Sequence, residues 1–264
     1  LRPEETSSSV PIRVVPGIPD SFGRVLDELR DVRILELLMN LGRIRDAAGA
    51  LKVVDRNYEA VEQLLKDRCA RPEEVSHTAS TVESLADMLS ALALLKEIRS
   101  IDEDILGTYY FRVPVIEIYW MAIAICAGLF GVSLEGLTVV VLTHELAHAY
   151  THKGFDIDGV DWDTKAFGNA SIFIVEGLAQ FYTDEICRKL ASRSAAPAEA
   201  FHKMLEEQPP PYTEYVEWTK GLQKGGEVVR MAMIDTRRRG IDDYGEFREQ
   251  LESAKERIYG KKAL

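Results

Sequence analysis

Cysteine is scarce in this sequence, and its spacing excludes two common kinds of site. The 264 residues include three cysteines, Cys69, Cys126 and Cys187, and no two of them form a C-x-x-C pair. An odd number of widely separated cysteines fits neither a disulfide framework nor a cysteine zinc site. We therefore predict a reducing compartment and a cytoplasmic protein.

Basic residues are also in short supply. The chain has 32 Lys and Arg against 43 Asp and Glu, which gives a net charge of −11. An acidic surface repels a phosphate backbone, so we predict no nucleic-acid partner. The first residues carry acidic groups and serines rather than a basic stretch followed by an apolar one, so no secretory signal peptide is expected.

An uninterrupted apolar run of membrane-spanning length is missing as well. The stretch 113–132 comes closest, but Pro114 and Glu117 interrupt it, and its first half is rich in β-branched and aromatic residues. This pattern favours a buried strand that runs into a buried helix over a membrane span. We therefore predict no association with a membrane.

The N-terminal part of the chain, residues 1–100, is predicted to be a mainly helical region. After an extended arm or loose strand over 1–19, leucines recur at helical spacing. Glycines at 42 and 49 predict breaks, and the polar stretch 70–78, with Pro72, predicts a linker. A lid, an adaptor and a scaffold all remain possible roles for this region.

Residues 101–264 are predicted to form the second domain, which carries the chemistry. Dense β-branched and aromatic residues over 109–120 predict a strand, with Pro114 on a sheet edge where its missing N–H does no harm. The elements predicted after it are an apolar segment over 122–130, a central helix from Ser133 to about His152, a loop over 155–169, a helix over 171–194, an extended break at the prolines 209–211 and two or three C-terminal helices. The expected fold is α+β and mostly helical, with a small sheet packed on the central helix.

The central helix contains the motif His144-Glu145-Leu146-Ala147-His148, or H-E-x-x-H. Residues four apart lie on one face of a helix, so the two imidazoles can reach one metal ion. Glu145 points off that face and can approach a water molecule instead of binding the metal. Because burying these groups in an apolar helix is costly unless they have partners, the motif predicts a metal site.

A catalytic zinc takes three protein ligands and keeps one position open, so a third ligand is needed. A histidine six residues after His148 would complete one common pattern, but that position is Gly154. His152 lies one turn after His148, where three stacked histidines do not easily converge, so it is expected at the surface or outside the ligand shell. Glu176 is the predicted third ligand because it is a lone carboxylate in an apolar helical run.

The pair His144 and His148 followed by Glu176 resembles the gluzincin branch of the zincin metallopeptidases. The resemblance covers about residues 105–185, with the order edge strand, strand, active-site helix and glutamate helix. It implies a zinc cofactor, peptide or protein substrates lying along the edge strand near 109–115, and hydrolysis by a zinc-activated water with Glu145 as general base. Small residues at 177 and 179 are expected to let the glutamate helix lie close to the central one.

One residue departs from the family pattern. Many gluzincins carry, four residues after the ligand Glu, an Asp that orients the first His, and here that position is Gln180. An amide oxygen can still accept a hydrogen bond from an imidazole N–H, and Asp184 is the alternative. A Tyr or His beyond the glutamate helix often stabilises the oxyanion in such families. We predict Tyr215 for this role, with Tyr212 and His202 as alternatives.

Two other interpretations of the sequence remain open. The chain could be a catalytically inactive zincin-like protein that binds metal and has a regulatory or interaction role, or a helical interaction protein in which the motif is accidental. A further alternative concerns the four aspartates within 156–163, which lack EF-hand spacing. A solvated loop is expected there, and a second cation site is the alternative.

Overall fold

The computed structural model describes residues 10–16, 32–65, 70–90, 105–154 and 159–260. Within these ranges the fold is α+β and mostly helical with a small sheet, which confirms the predicted class. The elements in chain order are β1 (Ile12–Val15), α1 (Val32–Met39), α2 (Leu41–Arg56), α3 (Tyr58–Leu65), α4 (Pro72–Ser90), β2 (Gly107–Tyr110), β3 (Val115–Tyr119), α5 (Trp120–Phe130), α6 (Leu134–Lys153), α7 (Thr164–Asn169), α8 (Ile172–Leu190), α9 (Ala196–Leu205), α10 (Pro210–Thr213), α11 (Tyr215–Thr219), α12 (Gly225–Arg239) and α13 (Tyr244–Tyr259).

The three strands form one sheet in the order β1-β3-β2. Strand β1 runs parallel to β3, whereas β2 and β3 are antiparallel. Alternation places Tyr109, Ile116 and Ile118 on one face, where all three are buried. That face packs on helix α6, so the small sheet lies against the central helix as predicted.

Helix α6 is the centre of the fold because it is packed on several sides at once. Sheet strands and α5 contact one part of it, and α8 and α9 contact another. Its start is fixed by Ser133, whose hydroxyl accepts a hydrogen bond from the Gly136 N–H. Its end is fixed by Gly154, which has the left-handed φ of 62° that favours glycine. The predicted bounds of this helix are therefore confirmed.

The described N-terminal helices pack on the apolar helix α5. Helices α2 and α4 pack against each other, and α1 and α2 contact α5. At that contact Gly128 has no room for a side chain, since a Cβ there would lie 2.8 Å from Leu41 Cβ. The run 113–132 is accordingly a strand that leads into a buried helix. Among the described helices, none is both long enough and apolar enough to cross a membrane.

Four sequence predictions about glycine and proline are wrong. Helix α2 runs unbroken through Gly42 and Gly49, and the breaks fall at Asn40 and Asn57 instead. Pro72 begins α4 rather than a linker, because the first turn of a helix has no use for the N–H that proline lacks.

The predictions for Pro114 and for the three consecutive prolines are the other two that are wrong. Pro114 lies in the turn 111–114 between β2 and β3, not on an edge strand. Of the three consecutive prolines, only Pro209 is extended, and the next two begin the short helix α10.

Candidate metal centre

Two packed helices bring the three predicted metal ligands together. His144 and His148 share one face of α6, and Glu176 of α8 faces them. The His144 Nε2 atom lies 3.1 Å from Glu176 Oε2 and 3.0 Å from His148 Nε2, and the remaining pair, His148 Nε2 and Glu176 Oε2, is 3.6 Å apart. All three possible ligand atoms lie within 4.8 Å of one another, so the group could hold a metal ion.

Because the three side chains are buried, holding them close together is costly unless a positive charge lies among them. His144, His148 and Glu176 are 7%, 5% and 7% exposed. Burial by itself would raise the pKa of Glu176, but the neighbouring imidazoles, His148 first, hold it well below its ordinary value. A carboxylate oxygen and two ring nitrogens crowded at one point are three electron-pair donors, and a divalent cation satisfies all of them.

One further atom at the site lacks the partner that a metal-bound histidine usually has. His144 Nδ1 is buried and has no hydrogen-bond partner among the described residues. If Nε2 of His144 binds a metal, Nδ1 carries the ring proton. Nδ1 then needs a hydrogen-bond acceptor that is not one of the three ligands. Nitrogen and oxygen donors in a two-His, one-carboxylate set are those that zinc accepts.

Glu145 is buried beside the three ligands but points elsewhere. Its Oε1 lies 3.1 Å, and its Cγ 3.0 Å, from the point where a Cβ on Gly107 would be. Gly107 is the first residue of β2, so the carboxylate approaches the beginning of that strand. This placement off the ligand face is the one expected for a general base.

A cleft of about 430 Å³ opens at the ligands and follows strand β2. His148 and Glu176 contribute to its lining, together with residues from β2, the following turn and helices α7 and α8. The other lining residues are Thr108, Tyr109, Tyr110, Phe111, Arg112, Phe167, Gly168, Ala170, Ile172 and Val175.

The edge of β2 opposite β3 has open backbone groups, and residues of the same strand line the cleft. The Leu106 carbonyl accepts from the Tyr119 N–H across the β2–β3 pair. Because hydrogen-bonded and non-bonded pairs alternate in an antiparallel ladder, the backbone groups of Gly107 and Tyr109 point away from β3. No described strand pairs with that edge.

His152 is buried and does not reach the ligand group. Its Nδ1 lies 2.8 Å from the Tyr109 hydroxyl, and its ring stacks on Phe167 with the centroids 4.6 Å apart. Burial, helped by the charge on Lys153, lowers its pKa to about 4. His152 therefore ties helix α6 to strand β2 and helix α7 rather than binding the metal or lying at the surface.

The structure does not bring Tyr215 to the ligands. Its hydroxyl donates to Asp184 Oδ2 at 3.2 Å. Asp184 lies eight residues beyond Glu176 on the same helix, which is about 12 Å along the axis. Burial and the Asp184 carboxylate also raise the Tyr215 pKa above its ordinary value. Its predicted role at the oxyanion is therefore not supported by its position.

Tyr212 is the alternative that the fold does bring to the site. Its ring stacks on the ring of His144, with centroids 6.2 Å apart and planes at 28°. The third candidate, His202, is exposed and bonds the Ala198 carbonyl of its own helix. Tyr215 thus contacts Asp184, whereas Tyr212, three residues earlier, contacts the predicted metal ligand His144.

Gln180 makes no hydrogen bond to His144. Its Nε2 donates to Gln208 Oε1 at 2.7 Å, and its own Oε1 is buried without a hydrogen-bond partner among the described residues. Asp184, the alternative, bonds Tyr215 and Arg188 instead. In this structure neither Gln180 nor Asp184 forms a hydrogen bond with His144, so neither of them orients its ring.

The aspartate-rich segment is only partly described, since Asp156 and Asp158 lie outside the described residues. Asp161 forms an ion pair with Lys153. Asp163 caps α7 by accepting from the N–H groups of Lys165 and Ala166. The two described carboxylates thus have ordinary structural roles, and the described residues group into no metal site other than that of His144, His148 and Glu176.

Gly107 was not identified from the sequence. The prediction that Gly177 faces the central helix is wrong. A glycine that opens a strand often marks a close backbone approach, and this signal could have drawn attention to Gly107. A side chain on Gly177 would meet the ring of Trp218, not helix α6. Its small size therefore makes room for helix α11.

Comparison with known proteins yields no match to a family model, to a curated protein or to a solved structure. The resemblance to gluzincins therefore depends on the residues quoted above and remains a prediction.

Proposed function

We propose that this protein is a zinc-dependent hydrolase that cleaves peptide bonds. The observation that carries the proposal is the convergence of three buried ligand atoms, from His144, His148 and Glu176, within 4.8 Å at a cleft. Two imidazoles and one carboxylate leave a fourth position of a tetrahedral ion open for chemistry, which is the arrangement of catalytic rather than structural zinc.

In this proposal His144, His148 and Glu176 would hold zinc, which would supply Lewis-acid chemistry and lower the pKa of a water molecule toward neutrality. Glu145 accepts a proton at its carboxylate from the attacking water and passes it to the leaving amine. Its position against the start of β2 supports this role, because a substrate on that strand would lie beside it. Tyr212, held against His144, is proposed to donate a hydrogen bond to the carbonyl oxygen as negative charge develops there.

A peptide is the proposed substrate because the cleft follows an unpaired strand edge. Backbone groups of Gly107 and Tyr109 that point away from β3 can pair with an extended chain, which adds a strand to the sheet. This pairing recognises the backbone of the peptide and does not depend on the peptide's side chains. It also aligns the peptide with the cleft that contains His148 and Glu176.

The cytoplasmic location is part of the same proposal. Cys126 and Cys187 are both buried free thiols. Burial raises the pKa of Cys126 to about 12 and that of Cys187 to about 11, so both thiols are unreactive. These two residues are compatible with a reducing compartment.

A second candidate is a zinc-binding protein of the same fold that cleaves nothing. The observation that favours it is the missing hydrogen bond between Gln180 and His144, since a ligand histidine usually donates its other N–H to a carboxylate or carbonyl. Without that hydrogen bond the imidazole is a less basic and less firmly oriented ligand.

A peptide-cleavage assay separates the two candidates. The zinc-loaded protein is incubated with a mixture of internally quenched peptides, beside the variants Glu145→Gln and Glu176→Ala and a sample treated with a zinc chelator. If the protein is a hydrolase, only the parent releases fluorescence from the peptides. Readdition of zinc then restores cleavage in the chelated sample but not in the variants. Zinc bound at one per chain without cleavage of any peptide would support the second candidate.

A further inference from the structure

The turn between β2 and β3 places one positive charge at the rim of the cleft. Arg112 lines the cleft with Phe111, and its guanidinium carbon lies 5.9 Å from the centroid of that ring. It forms no ion pair with any carboxylate of the described residues. In a chain of net charge −11, an arginine left without a carboxylate at a cleft is a feature that a ligand can use.

The position of Arg112 is fixed by the residue before it. A Cβ on Gly168 would lie 2.8 Å from Phe111 Cε2, so the Phe111 ring fills the space that this glycine leaves. The same ring meets Phe167 edge-on at 5.6 Å. The guanidinium lies over a ring that is itself held in place, and this cation–π contact limits the positions that it samples.

Part of the cleft wall is apolar. Phe167 is buried, and Ile172 is 51% exposed at the start of α8. Val175 lies one residue before the ligand Glu176. A bulky apolar side chain next to the metal ligands would cover these groups from water.

We infer that the cleft selects peptides that carry a bulky apolar residue near the cleaved bond and an acidic side chain at Arg112. This inference rests on the proposed function and adds the class of substrate. Glu145 marks the level of the chemistry beside Gly107, and a strand spans about 3.3 Å per residue. Arg112 is five residues beyond Gly107 and lies in the turn after β2, so the acidic residue is expected about two to four residues from the cleaved bond.

Charge complementarity identifies the occupant. A guanidinium presents paired N–H donors that match a carboxylate, and among the described residues Arg112 is the only Arg or Lys that lines the cleft. Backbone pairing along β2 would bind any extended peptide equally. The acidic side chain is therefore what sets one peptide apart from another.

The test uses amidated ten-residue peptides with a central Phe, in which a single Glu is moved from position to position. Each peptide has a partner with Gln at the same place. Binding is measured by fluorescence anisotropy with zinc-loaded parent protein and Glu145→Gln, and cleavage is measured with the parent. At the best position we expect Glu to be preferred over Gln by about three- to tenfold, as for a partly exposed charge-assisted pair.

Arg112→Gln should abolish this preference, so that the Glu/Gln ratio falls to about one. Arg248→Gln, which removes an exposed arginine on α13 away from the cleft, is the matched control and should keep the ratio of the parent. Because the pair is exposed, the preference should also shrink as the salt concentration rises.

The possible results separate this inference from the proposed function. Peptides that bind with an Arg112-dependent Glu preference but are not cut would uphold the inference and reject the hydrolase. Cleavage with equal Glu and Gln ratios in parent and Arg112→Gln would reject the inference and uphold the hydrolase. No binding of any peptide would also overturn it.

Discussion

The carboxylate of Glu145 lies against the backbone of Gly107, with Oε1 3.1 Å from the place that a Cβ would occupy. The relationship joins the central helix α6 to the first residue of the edge strand. A side chain at position 107 would also meet Val141 Cγ1 at 2.9 Å. Glycine at this position therefore allows Glu145, the proposed general base, to lie between the strand and the predicted metal ligands.

Gly107→Ala should displace Glu145 and lower kcat by about tenfold or more, while zinc stays bound, because small misplacements of a catalytic group are costly. The overpacked contact should also lower the free energy of unfolding by about 1–3 kcal/mol. Gly49→Ala is the matched control, since no atom lies within 4 Å of a Cβ there. In the helix interior it should stabilise the protein by about 0.5–1 kcal/mol without changing kcat. Equal kcat in both variants would remove Gly107 from the account.

Tyr212 and Tyr215 provide a matched pair for the oxyanion. Tyr212→Phe should keep zinc and the stacking on His144 but lower kcat by about 100-fold, as expected for a lost oxyanion donor. Tyr215→Phe loses the bond to Asp184 and should cost about 1 kcal/mol of stability with kcat within about twofold of the parent. Steady-state kinetics with the best peptide distinguishes the two. The reverse pattern would restore the original assignment to Tyr215.

The buried His152 predicts a pH dependence of stability. Its pKa is about 4 in the folded protein, below the ordinary value of 6.5, because burial disfavours the charged ring. Between these values the unfolded chain binds the extra proton, so stability rises with pH. The contribution is complete above pH 6.5 and is lost as the pH falls toward 4.

Urea denaturation of chelated protein at several pH values tests this prediction without interference from zinc. His152→Gln removes the titrating group, so its stability should change less between pH 6.5 and 4 than that of the parent. His202→Gln, which changes an exposed histidine away from the ligands, should follow the parent curve. Parallel curves for parent and His152→Gln would contradict the pKa shift.

Metal removal should destabilise the protein through linkage. A ligand present at 1,000 times its Kd stabilises the folded state by about 4 kcal/mol, and zinc bound to His144, His148 and Glu176 should do the same. Addition of a chelator is therefore expected to lower the Tm of the parent and of Glu145→Gln. Glu176→Ala, which lacks one ligand, should show a much smaller shift in differential scanning calorimetry.

Much of the fold of residues 101–264 could be predicted because its signals are local. Ser133 caps α6 one residue before the helix, and Gly154 ends it, as their residue types indicate. The pair of histidines four apart requires one helix face, and an isolated Glu176 in an apolar run requires a buried partner. These local rules were sufficient to identify all three converging ligands.

What could not be predicted depends on contacts between distant segments. Strand β1 pairs with β3 across about a hundred residues of sequence, and nothing in Ile12–Val15 specifies that partner. Strand formers continue through the turn 111–114, so β2 and β3 were predicted as a single strand. β-propensity depends on how the side chains pack. Apart from Pro114, therefore, no residue in the sequence marks this turn.

The choice between the two tyrosines could not be made from sequence either. Tyr212 is in α10 and Tyr215 begins α11, so the bend between two short helices decides which ring meets His144. Gly177 could have been placed correctly, because consecutive helical residues are rotated by about 100°. With Glu176 facing α6, its neighbour had to face elsewhere, and it faces Trp218.

The most direct test of the central claim is the zinc content of three purified proteins: the parent, Glu145→Gln and Glu176→Ala. After expression with zinc and gel filtration, elemental analysis should give close to one zinc per chain for the parent and for Glu145→Gln, because Glu145 is not a ligand. Glu176→Ala should lose most of its zinc, because the two remaining histidines bind it far more weakly. A parent protein without zinc, or a Glu176→Ala variant that holds zinc as firmly as the parent, would contradict the proposed metal centre.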